Sequence, residues 1–192
     1  IQVAPAMGSM PFATHELDSG ALARRLAQKL GGEVLDLSAP AVADSPADAE
    51  VLRNQRDIRR ALDVARNADV ALLGVGNLNP DQSGFVKGGF LTPEELAALV
   101  ADGAVGDMGG HIFTIDGRLY NKQYDDRIIG VTLDDFKDIT TTIVVATGQD
   151  KTEAILGALR TGAVSVLVTD DRTASSILAV NKTLALENAN DK

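Results

Sequence analysis

The sequence predicts an α/β fold built on a mostly parallel sheet with flanking helices. Short apolar runs alternate along the chain with segments whose apolar residues recur at helical spacing. The clearest run, residues 68–76, is almost continuously apolar and ends in glycine, which is typical of a buried parallel strand. Three strands lead through turns near Gly8, Gly76 and Gly148 towards a following helix. Such turns can meet at one sheet edge, where they would frame a small polar site.

The first strand and the first helix are joined by a glycine- and serine-bearing loop. Residues 1–3 predict a strand, residues 19–30 predict a helix, and the glycine pair 31–32 ends that helix. The loop between them contains Gly8 and Ser9, and this order aims backbone N–H groups at one spot, which suits an anion. A plain connecting loop is an equally good interpretation of this segment alone.

The next segments predict a second strand over residues 34–37 and one long helix over residues 47–67. The apolar side chains of this helix share one face, and several arginines point largely outwards. An arginine cluster of this kind is typical of a solvated or subunit-facing surface. Its members are Arg53, Arg56, Arg59 and Arg60.

A long polar loop, residues 77–89, follows the buried strand. It ends at Thr92, where a cap residue, a proline and two acids predict the start of a helix. Long loops at the carboxyl ends of parallel strands are where open α/β sheets bind ligands. The candidates for such a site, each of which could equally be a solvated loop residue, are Asn77, Ser83 and Lys87.

The glycine-rich stretch over residues 103–130 predicts a hairpin. Asp116 and Gly117 form a two-residue turn signal between two apolar pairs. Asp107 lies earlier in the stretch, close to glycines on either side. Because a carboxylate fixed beside such turns is well placed to accept hydrogen bonds from hydroxyl groups, Asp107 is a candidate ligand-binding residue.

The last third of the chain repeats the strand, glycine turn and helix order. A short helix begins near residue 134, and the strand over residues 143–146 runs into a turn containing Gly148 and a helix behind it. Lys151 lies in the first turn of that helix, where a cation is unfavourable unless an anionic ligand offsets it. A last strand over residues 164–168 and a last, capped helix complete the predicted fold.

Composition excludes several classes of function. The chain has 192 residues, enough for one domain, and its net charge of −9 without a basic stripe excludes a nucleic-acid-binding surface in the chain as given. The lack of cysteine excludes disulfides and thiolate metal sites, and no apolar run approaches the roughly 18 residues of a membrane span. We expect a cytoplasmic protein with no cofactor and no metal. Residues 1–3 begin like a strand already under way, which indicates a fragment of a longer protein.

Four stretches in this order resemble the C-terminal effector-binding domain of SorC/DeoR-type bacterial transcriptional regulators: MGSMPFATHELDSGALARRLAQKL; ARNADVALLGVGNL with GGFLTPEEL; GAVGDMGGHIFTIDGR through DDRIIGV; and VVATGQDKTEAILGALRTGAVSVLVTDD. The resemblance covers nearly all of residues 1–192. It implies a Rossmann-like fold similar to sugar-phosphate isomerases, glucosamine-phosphate deaminases and CoA-transferases. It also implies a phosphorylated sugar or related metabolite as effector, an N-terminal helix-turn-helix in the full-length protein, operator DNA as a partner, and assembly into a homo-oligomer, either a dimer or a tetramer.

The resemblance also assigns roles within the effector site. Lys151 and the loop at Gly8 would hold a phosphate and Lys87 would add to it, whereas Asp107 would accept hydrogen bonds from sugar hydroxyls. The full set of candidate effector-binding residues is Gly8, Ser9, Met10, Phe12, Gly76, Asn77, Lys87, Asp107, Gly109, His111, Gly148, Gln149 and Lys151.

Two residues depart from the family pattern. His111 stands where relatives commonly carry Arg, and Thr147 stands where they commonly carry the first of two glycines. Both departures can alter the charge or size of the ligand, so an unphosphorylated sugar or polyol stays open. His111 taken alone is typical of a surface residue on a hairpin, and Asp126 with Arg127 is typical of a structural pair.

Three functions fit these observations. A ligand sensor explains why Asp107 lies among glycines, since the carboxylate would contact the ligand. It also explains the acidic net charge, because a separate module would bind the operator. A sugar-phosphate isomerase or deaminase would need a general base, for which Asp107 or Asp126 could serve, but no acid–base pair demands catalysis and none is assigned. An architectural oligomerisation domain would have no use for a preformed polar cleft. We therefore expect a sensor of a sugar, a sugar phosphate or a polyol that is not an enzyme.

Overall fold

Parallel strands form the centre of the fold, as the apolar runs predict. The computed structural model describes residues 1–10 and 18–190. Its strands are β1 (Gln2–Val3), β2 (Glu33–Val34), β3 (Val70–Leu73), β4 (Gly76–Asn77), β5 (Ala104–Met108), β6 (His111–Thr114), β7 (Thr141–Val145) and β8 (Val166–Val168). Its helices are α1 (Ser19–Leu30), α2 (Pro46–Asn54), α3 (Arg56–Arg66), α4 (Gly84–Lys87), α5 (Pro93–Ala101), α6 (Lys122–Asp125), α7 (Leu133–Asp138), α8 (Thr152–Arg160) and α9 (Asp171–Asn190).

The strands pair in three groups. The first is the parallel pair β1–β2, and the second is the parallel three-stranded sheet β3–β7–β8. The third, β4–β5–β6, is antiparallel. The apolar run over residues 68–76 therefore contributes to two of these groups: β3, which ends at Leu73, belongs to the second, and β4, which begins at Gly76, belongs to the third.

Several helix boundaries follow from the caps in the sequence. The Asp18 carboxylate accepts a hydrogen bond from the backbone N–H of Ala21 at the start of α1, and Gly31 ends that helix with φ of 63°. Thr92 and Glu95 form a reciprocal capping box at the start of α5, with a proline between them. These predicted ends are confirmed.

The prediction of one helix over residues 47–67 is wrong. The helix is interrupted at Gln55, which is extended with ψ of 134°, so that α2 and α3 are separate. Arg53, in the last turn of α2, donates from its guanidinium to the backbone carbonyls of Asp126 and Ile128 at 3.0 and 2.9 Å. Arg53 therefore ties α2 to a neighbouring segment, whereas the other three arginines of the predicted cluster are exposed.

The predicted hairpin at Asp116–Gly117 is present, with a second hairpin before it. Backbone hydrogen bonds join residues 112–114 to residues 118–120 around that turn, as predicted. In addition, β5 and β6 are joined by Gly109 and Gly110, with φ of 61° and 87°. Two consecutive residues with positive φ form the tight turn that suits an antiparallel pair, and this turn sets the position of Asp107.

The largest buried cluster packs α8 and α9 against one face of β3–β7–β8. Ile155 of α8 and Ile177 of α9 lie in the same cluster as Val144 of β7. A smaller cluster under α4 and α5 includes Phe85 and Leu96. Among the described residues, no helix is long and apolar enough to cross a membrane.

Candidate functional site

Asp107 lies in the middle strand of the antiparallel group, opposite Gly76 of β4. A β-carbon at residue 76 would lie 2.1 Å from Oδ1 of Asp107, so the carboxylate occupies the space above this glycine. Because no other residue type leaves that space empty, Gly76 permits the position of the carboxylate. The two residues therefore form one structural unit of the candidate site.

The environment of the Asp107 carboxyl group raises its pKa above the usual value. The side chain is half-buried, and the loss of water contact raises its pKa from 3.8 to about 6. The backbone N–H of Gly110 and the positive charges of His111 and Lys151 act in the opposite direction. A carboxyl group of this kind can accept hydrogen bonds from ligand hydroxyls when ionised and donate one when protonated.

Lys151 brings a positive charge to the same place. It ends a short 3-10 turn (Gln149–Lys151) directly before α8, and its Nζ donates to the backbone carbonyl of Val75 at 3.0 Å. Val75 precedes Gly76, so Lys151 and Asp107 both contact the short segment that leads into β4. The structure thus brings the predicted carboxylate and the predicted cation, both half-buried, close to the same short segment.

Asn77 holds two loops next to this segment. Its buried amide nitrogen donates to Oε1 of Gln82 at 2.8 Å and to Oδ2 of Asp150 at 2.9 Å. It therefore links the polar loop after β4 to the turn that carries Gln149 and Lys151. The side chain is already engaged by protein groups, which makes Asn77 an organiser of these loops.

Gly148 is held in a conformation that favours glycine. Its φ is 118°, and its backbone N–H donates to Oγ1 of Thr173 at 2.9 Å. Oγ1 of Thr173 in turn donates to Asp170, and the hydrogen bonds from Thr173 lower the pKa of the Asp170 carboxyl. Thr173 lies in the first turn of α9, which Asp170 caps, and nothing in the sequence indicated that it also holds the turn before Lys151.

His111 is not the surface residue that its place on a hairpin suggested. Its side chain is 2% exposed, with Nδ1 against the Asp125 carboxylate and Nε2 2.9 Å from the Val131 carbonyl. The ring therefore fastens β6 to α6 and to the chain before α7. Both ring nitrogens have protein partners, so His111 acts on the site through the position of β6, which pairs with the strand of Asp107.

The predicted anion cradle at Gly8 and Ser9 is not formed by their backbone N–H groups. These donate to the carbonyls of Ile129 and Ala39, both at 2.9 Å, and are used within the fold. Gly8 is needed for a different reason, because a β-carbon there would lie 2.3 Å from the Pro40 carbonyl oxygen. Met10 packs near residues 84 and 88 around α4. Phe12 lies outside the described residues.

The remaining candidates are spread over α4, the turn after β5 and a neighbouring groove. Lys87 is exposed on α4, and its Nζ is 3.3 Å from the carbonyl of Gln82, the residue that also contacts Asn77. Gly109 belongs to the tight turn after β5. A groove of about 710 Å³ includes Asn77 and Gln149 in its lining but neither Asp107 nor Lys151. The described residues contain no group of three or more His, Asp or Glu side chains arranged to hold a metal ion.

One further tyrosine near Asp107 was not singled out in the sequence. The hydroxyl of Tyr124 is buried and has no partner among the described residues. Burial raises its pKa to about 12, and the negative charge of Asp107 contributes in the same direction. The Arg127 guanidinium lies over the ring at 5.6 Å from its centre, whereas the Asp126 carboxylate forms an ion pair with Lys122. Arg127 also donates from Nε to the backbone carbonyl of Ala43 at 2.8 Å, so Asp126 and Arg127 each have their own structural partners.

The mixed α/β fold of this chain is the fold of solved sugar-binding domains of transcriptional regulators. A family model described as "Putative sugar-binding domain" matches residues 1–179. The chain belongs to this family of sugar-binding domains of transcriptional regulators. The resemblance to SorC/DeoR-type regulators and the predicted fold class are both confirmed.

Individual relatives agree with this assignment. The erythritol catabolism regulatory protein EryD of Brucella abortus is 29% identical over 154 residues, which are 80% of this chain and 48% of EryD. A solved structure from Vibrio fischeri, titled a "Putative Sugar-Binding Domain of Transcriptional Repressor", is 34% identical with a TM-score of 0.83, covering 94% of this chain and 70% of that one. The full-length sorbitol operon regulator SorC of Klebsiella pneumoniae shares the fold at 24% identity and a TM-score of 0.84, over 92% of this chain and 57% of SorC. The chain spans about half the length of the curated relatives it matches.

Proposed function

We propose that this chain is the effector-sensing domain of a bacterial transcriptional regulator of carbohydrate metabolism. The observation that carries the proposal is that Asp107 and Lys151 both approach one segment, Asp107 beside Gly76 and Lys151 through the Val75 carbonyl. A half-buried carboxylate and a half-buried ammonium group that lie close to each other can together bind a small molecule rich in oxygen atoms. The family description, which names a sugar, supports the same ligand class.

The proposed effector is a sugar, a sugar phosphate or a polyol. Asp107 accepts hydrogen bonds from two neighbouring hydroxyl groups, and Lys151 attracts a phosphate or donates to a hydroxyl oxygen. Gly76 leaves room for the Asp107 carboxylate, whereas Asn77 and Gly148 keep the neighbouring loops in place. The name of EryD, which links that relative to erythritol catabolism, supports a polyol as one member of this class.

The effector would act on DNA binding through the rest of the protein. A ligand shifts a conformational equilibrium only by its differential affinity for the two states, so the site must differ between them. In the full-length protein, an N-terminal helix-turn-helix would contact operator DNA, and the domain would assemble as a homo-oligomer in the cytoplasm. The acidic charge of this chain fits a design in which another segment contacts DNA.

An isomerase or deaminase on the same fold is the second candidate. The observation in its favour is the pKa of Asp107, which at about 6 lies in the range of a general base. The relatives that carry a functional name are regulators, which supports the sensor. Fold alone does not distinguish the two, so turnover has to be measured.

The test is a thermal-shift screen of the protein with sugars, polyols and their phosphates, followed by product analysis. A ligand at a hundredfold its Kd should add about 2.7 kcal/mol of stability. The sensor is supported if one compound raises Tm, is recovered unchanged, and loses its effect in Asp107→Ala and Lys151→Ala. Conversion of the compound would favour the enzyme, and a response that survives both substitutions would place the effector elsewhere.

A further inference from the structure

The hydroxyl group of Tyr124 is buried without a hydrogen bond from the described part of the protein. Among the described residues only one other buried side-chain oxygen is in the same position, that of Thr169. Buried polar groups are nearly always hydrogen-bonded, because an unpaired one has lost its contacts with water and gained nothing in exchange. The Tyr124 hydroxyl therefore needs a partner that the described residues do not supply.

The ring that carries this hydroxyl is held in place from several sides. The Arg127 guanidinium lies over its face, and Phe85 of α4 meets it edge to face with 6.0 Å between the ring centres. The next residue, Asp125, is bound to the buried ring of His111, which fastens α6 to β6. A side chain fixed in this way loses little conformational entropy when it binds a ligand.

Tyr124 lies on the same side of the strand pair β5–β6 as Asp107. Asp107 stands directly opposite Ile112 across the two strands, and side chains of opposite residues in an antiparallel pair project from the same face. Ile112 belongs to the buried cluster against which Tyr124 packs, whereas Met108, the residue after Asp107, belongs to the largest cluster on the other face. The negative charge of Asp107 also raises the pKa of Tyr124, as expected for neighbours.

We propose that Tyr124 is a specificity-determining residue of the effector site, and that its hydroxyl donates a hydrogen bond to an uncharged oxygen atom of the bound sugar or polyol. This inference rests on the proposed function and adds a donor to it. The ionised Asp107 carboxylate only accepts hydrogen bonds, whereas a phenol can donate one. Because burial raises the pKa of Tyr124 to about 12, the phenol keeps its proton at physiological pH. The pair can therefore recognise two neighbouring oxygen atoms of one ligand.

The charges around the hydroxyl indicate which end of the effector lies there. The carboxylates of Asp107 and Glu95 both act on Tyr124, and Asp107 on the same face would repel a phosphate. The positive charge of Arg127 opposes them, but its guanidinium is engaged with the tyrosine ring and the Ala43 carbonyl. A hydroxyl, ring-ether or carbonyl oxygen fits this place, which leaves Lys151 for any phosphate.

Two matched substitutions in the full-length protein test the inference. Tyr124→Phe removes the buried hydroxyl, and Tyr120→Phe removes the hydroxyl of the other tyrosine of this chain, which donates to Asp102 at 2.6 Å. The probes are erythritol, ribose and glucose and their phosphates, and Kd is obtained from the dependence of Tm on probe concentration. For each probe that stabilises the protein, we expect Tyr124→Phe to raise Kd at least about fivefold. Tyr120→Phe should leave Kd within about twofold.

The protein without a probe gives the second measurement. The phenylalanine ring keeps the packing of Tyr124 and removes an unpaired buried hydroxyl, so the Tm of Tyr124→Phe should equal or exceed that of the unsubstituted protein. A lower Tm in Tyr124→Phe, with Tyr120→Phe unchanged, would overturn the inference, because the hydroxyl would then be bonded within the protein.

The binding data separate a failure of this inference from a failure of the proposed function. A probe response that is lost in Asp107→Ala but keeps its Kd in Tyr124→Phe would overturn the role of Tyr124 and leave the sensor intact. The increase in Kd should be the same at low salt and at about 0.5 M salt, because the contact is uncharged; an increase that disappears in salt would also overturn it. If no probe raises Tm, or the response survives Asp107→Ala, the proposed site fails and this inference falls with it.

Discussion

Asp107 and Gly76 face each other across β4 and β5 so closely that a methyl group at residue 76 would lie 2.1 Å from a carboxylate oxygen. The carboxylate is therefore placed by the absence of a side chain opposite it. Because backbone atoms lie opposite the carboxylate, its position does not depend on a flexible side chain at residue 76. A substitution at Gly76 can therefore change the position of the carboxylate without replacing a charged residue.

The first prediction uses this dependence. Gly76→Ala should turn the Asp107 carboxylate away from its position and weaken effector binding by at least about tenfold, roughly 1.4 kcal/mol. Stability should fall by only about 1 kcal/mol, because the obstructing atom is the end of a side chain that can rotate. Titration calorimetry with the screened effector, together with urea denaturation, measures both quantities.

The matched control for Gly76→Ala is Gly74→Ala. A β-carbon at residue 74 would have its nearest neighbour, the Val145 carbonyl oxygen, at 3.9 Å, which is ordinary contact. This variant should bind the effector like the unsubstituted protein. Equal losses of affinity in the two variants would mean that the position of Asp107 is not what matters.

Sequence patterns identified the local features of this fold well. The capping box at Thr92, the glycine end of α1 and the turn at Gly117 depend on short-range preferences, and all are present. The placement of Lys151 after a strand and a glycine turn was predicted in the same way. These features depend on the conformations that single residues favour, and those preferences can be inferred from the sequence alone.

Features that depend on distant contacts could not be predicted. Arg53 of α2, next to the break at Gln55, donates to carbonyls at residues 126 and 128, more than 70 positions away. The burial of His111 depends on Asp125 and Val131 in the same manner. The backbone N–H groups of the loop at Gly8 looked available for an anion because their tertiary acceptors are invisible in the sequence.

The second prediction concerns the pH dependence of stability. Burial raises the pKa of Asp107 from 3.8 to about 6, so the folded state holds this proton more tightly than the unfolded state. The resulting stabilisation is complete below about pH 4 and is lost as the pH rises through about 6, with a magnitude of at most roughly 3 kcal/mol. Asp107→Asn should remove this contribution, so the variant should gain stability over the unsubstituted protein between pH 4 and pH 7.

Urea denaturation at several pH values between 4 and 7 tests the second prediction. The difference in unfolding free energy between Asp107→Asn and the unsubstituted protein isolates this one carboxyl from the other titrating groups. Asp138→Asn, which changes an exposed carboxylate, serves as the control and should give a nearly constant difference. A constant difference for Asp107→Asn as well would show that the proton is not held in the folded state.

The third prediction separates a structural role from a ligand role for His111. His111→Leu keeps the approximate volume but leaves Asp125 and the Val131 carbonyl without their donor, and we expect a loss of about 2–4 kcal/mol in stability. Asp125→Asn retains an acceptor for the ring and should lose less, about 1 kcal/mol. Thermal and urea unfolding measure both. Unchanged stability combined with lost effector binding would instead make His111 a ligand residue.

The fourth prediction compares the two candidate cations of the site. Lys151 lies half-buried beside Asp107, whereas Lys87 is exposed on α4. Lys151→Met should therefore weaken effector binding at least about tenfold, and Lys87→Met less than about threefold, since exposed charges contribute little. Calorimetry at low salt and at about 0.5 M salt also shows whether the ligand is charged. Screening by salt weakens the contact of Lys151 with a phosphate far more than its contact with a neutral hydroxyl. A larger loss in Lys87→Met than in Lys151→Met would move the binding site from β4 and β5 to the edge of α4.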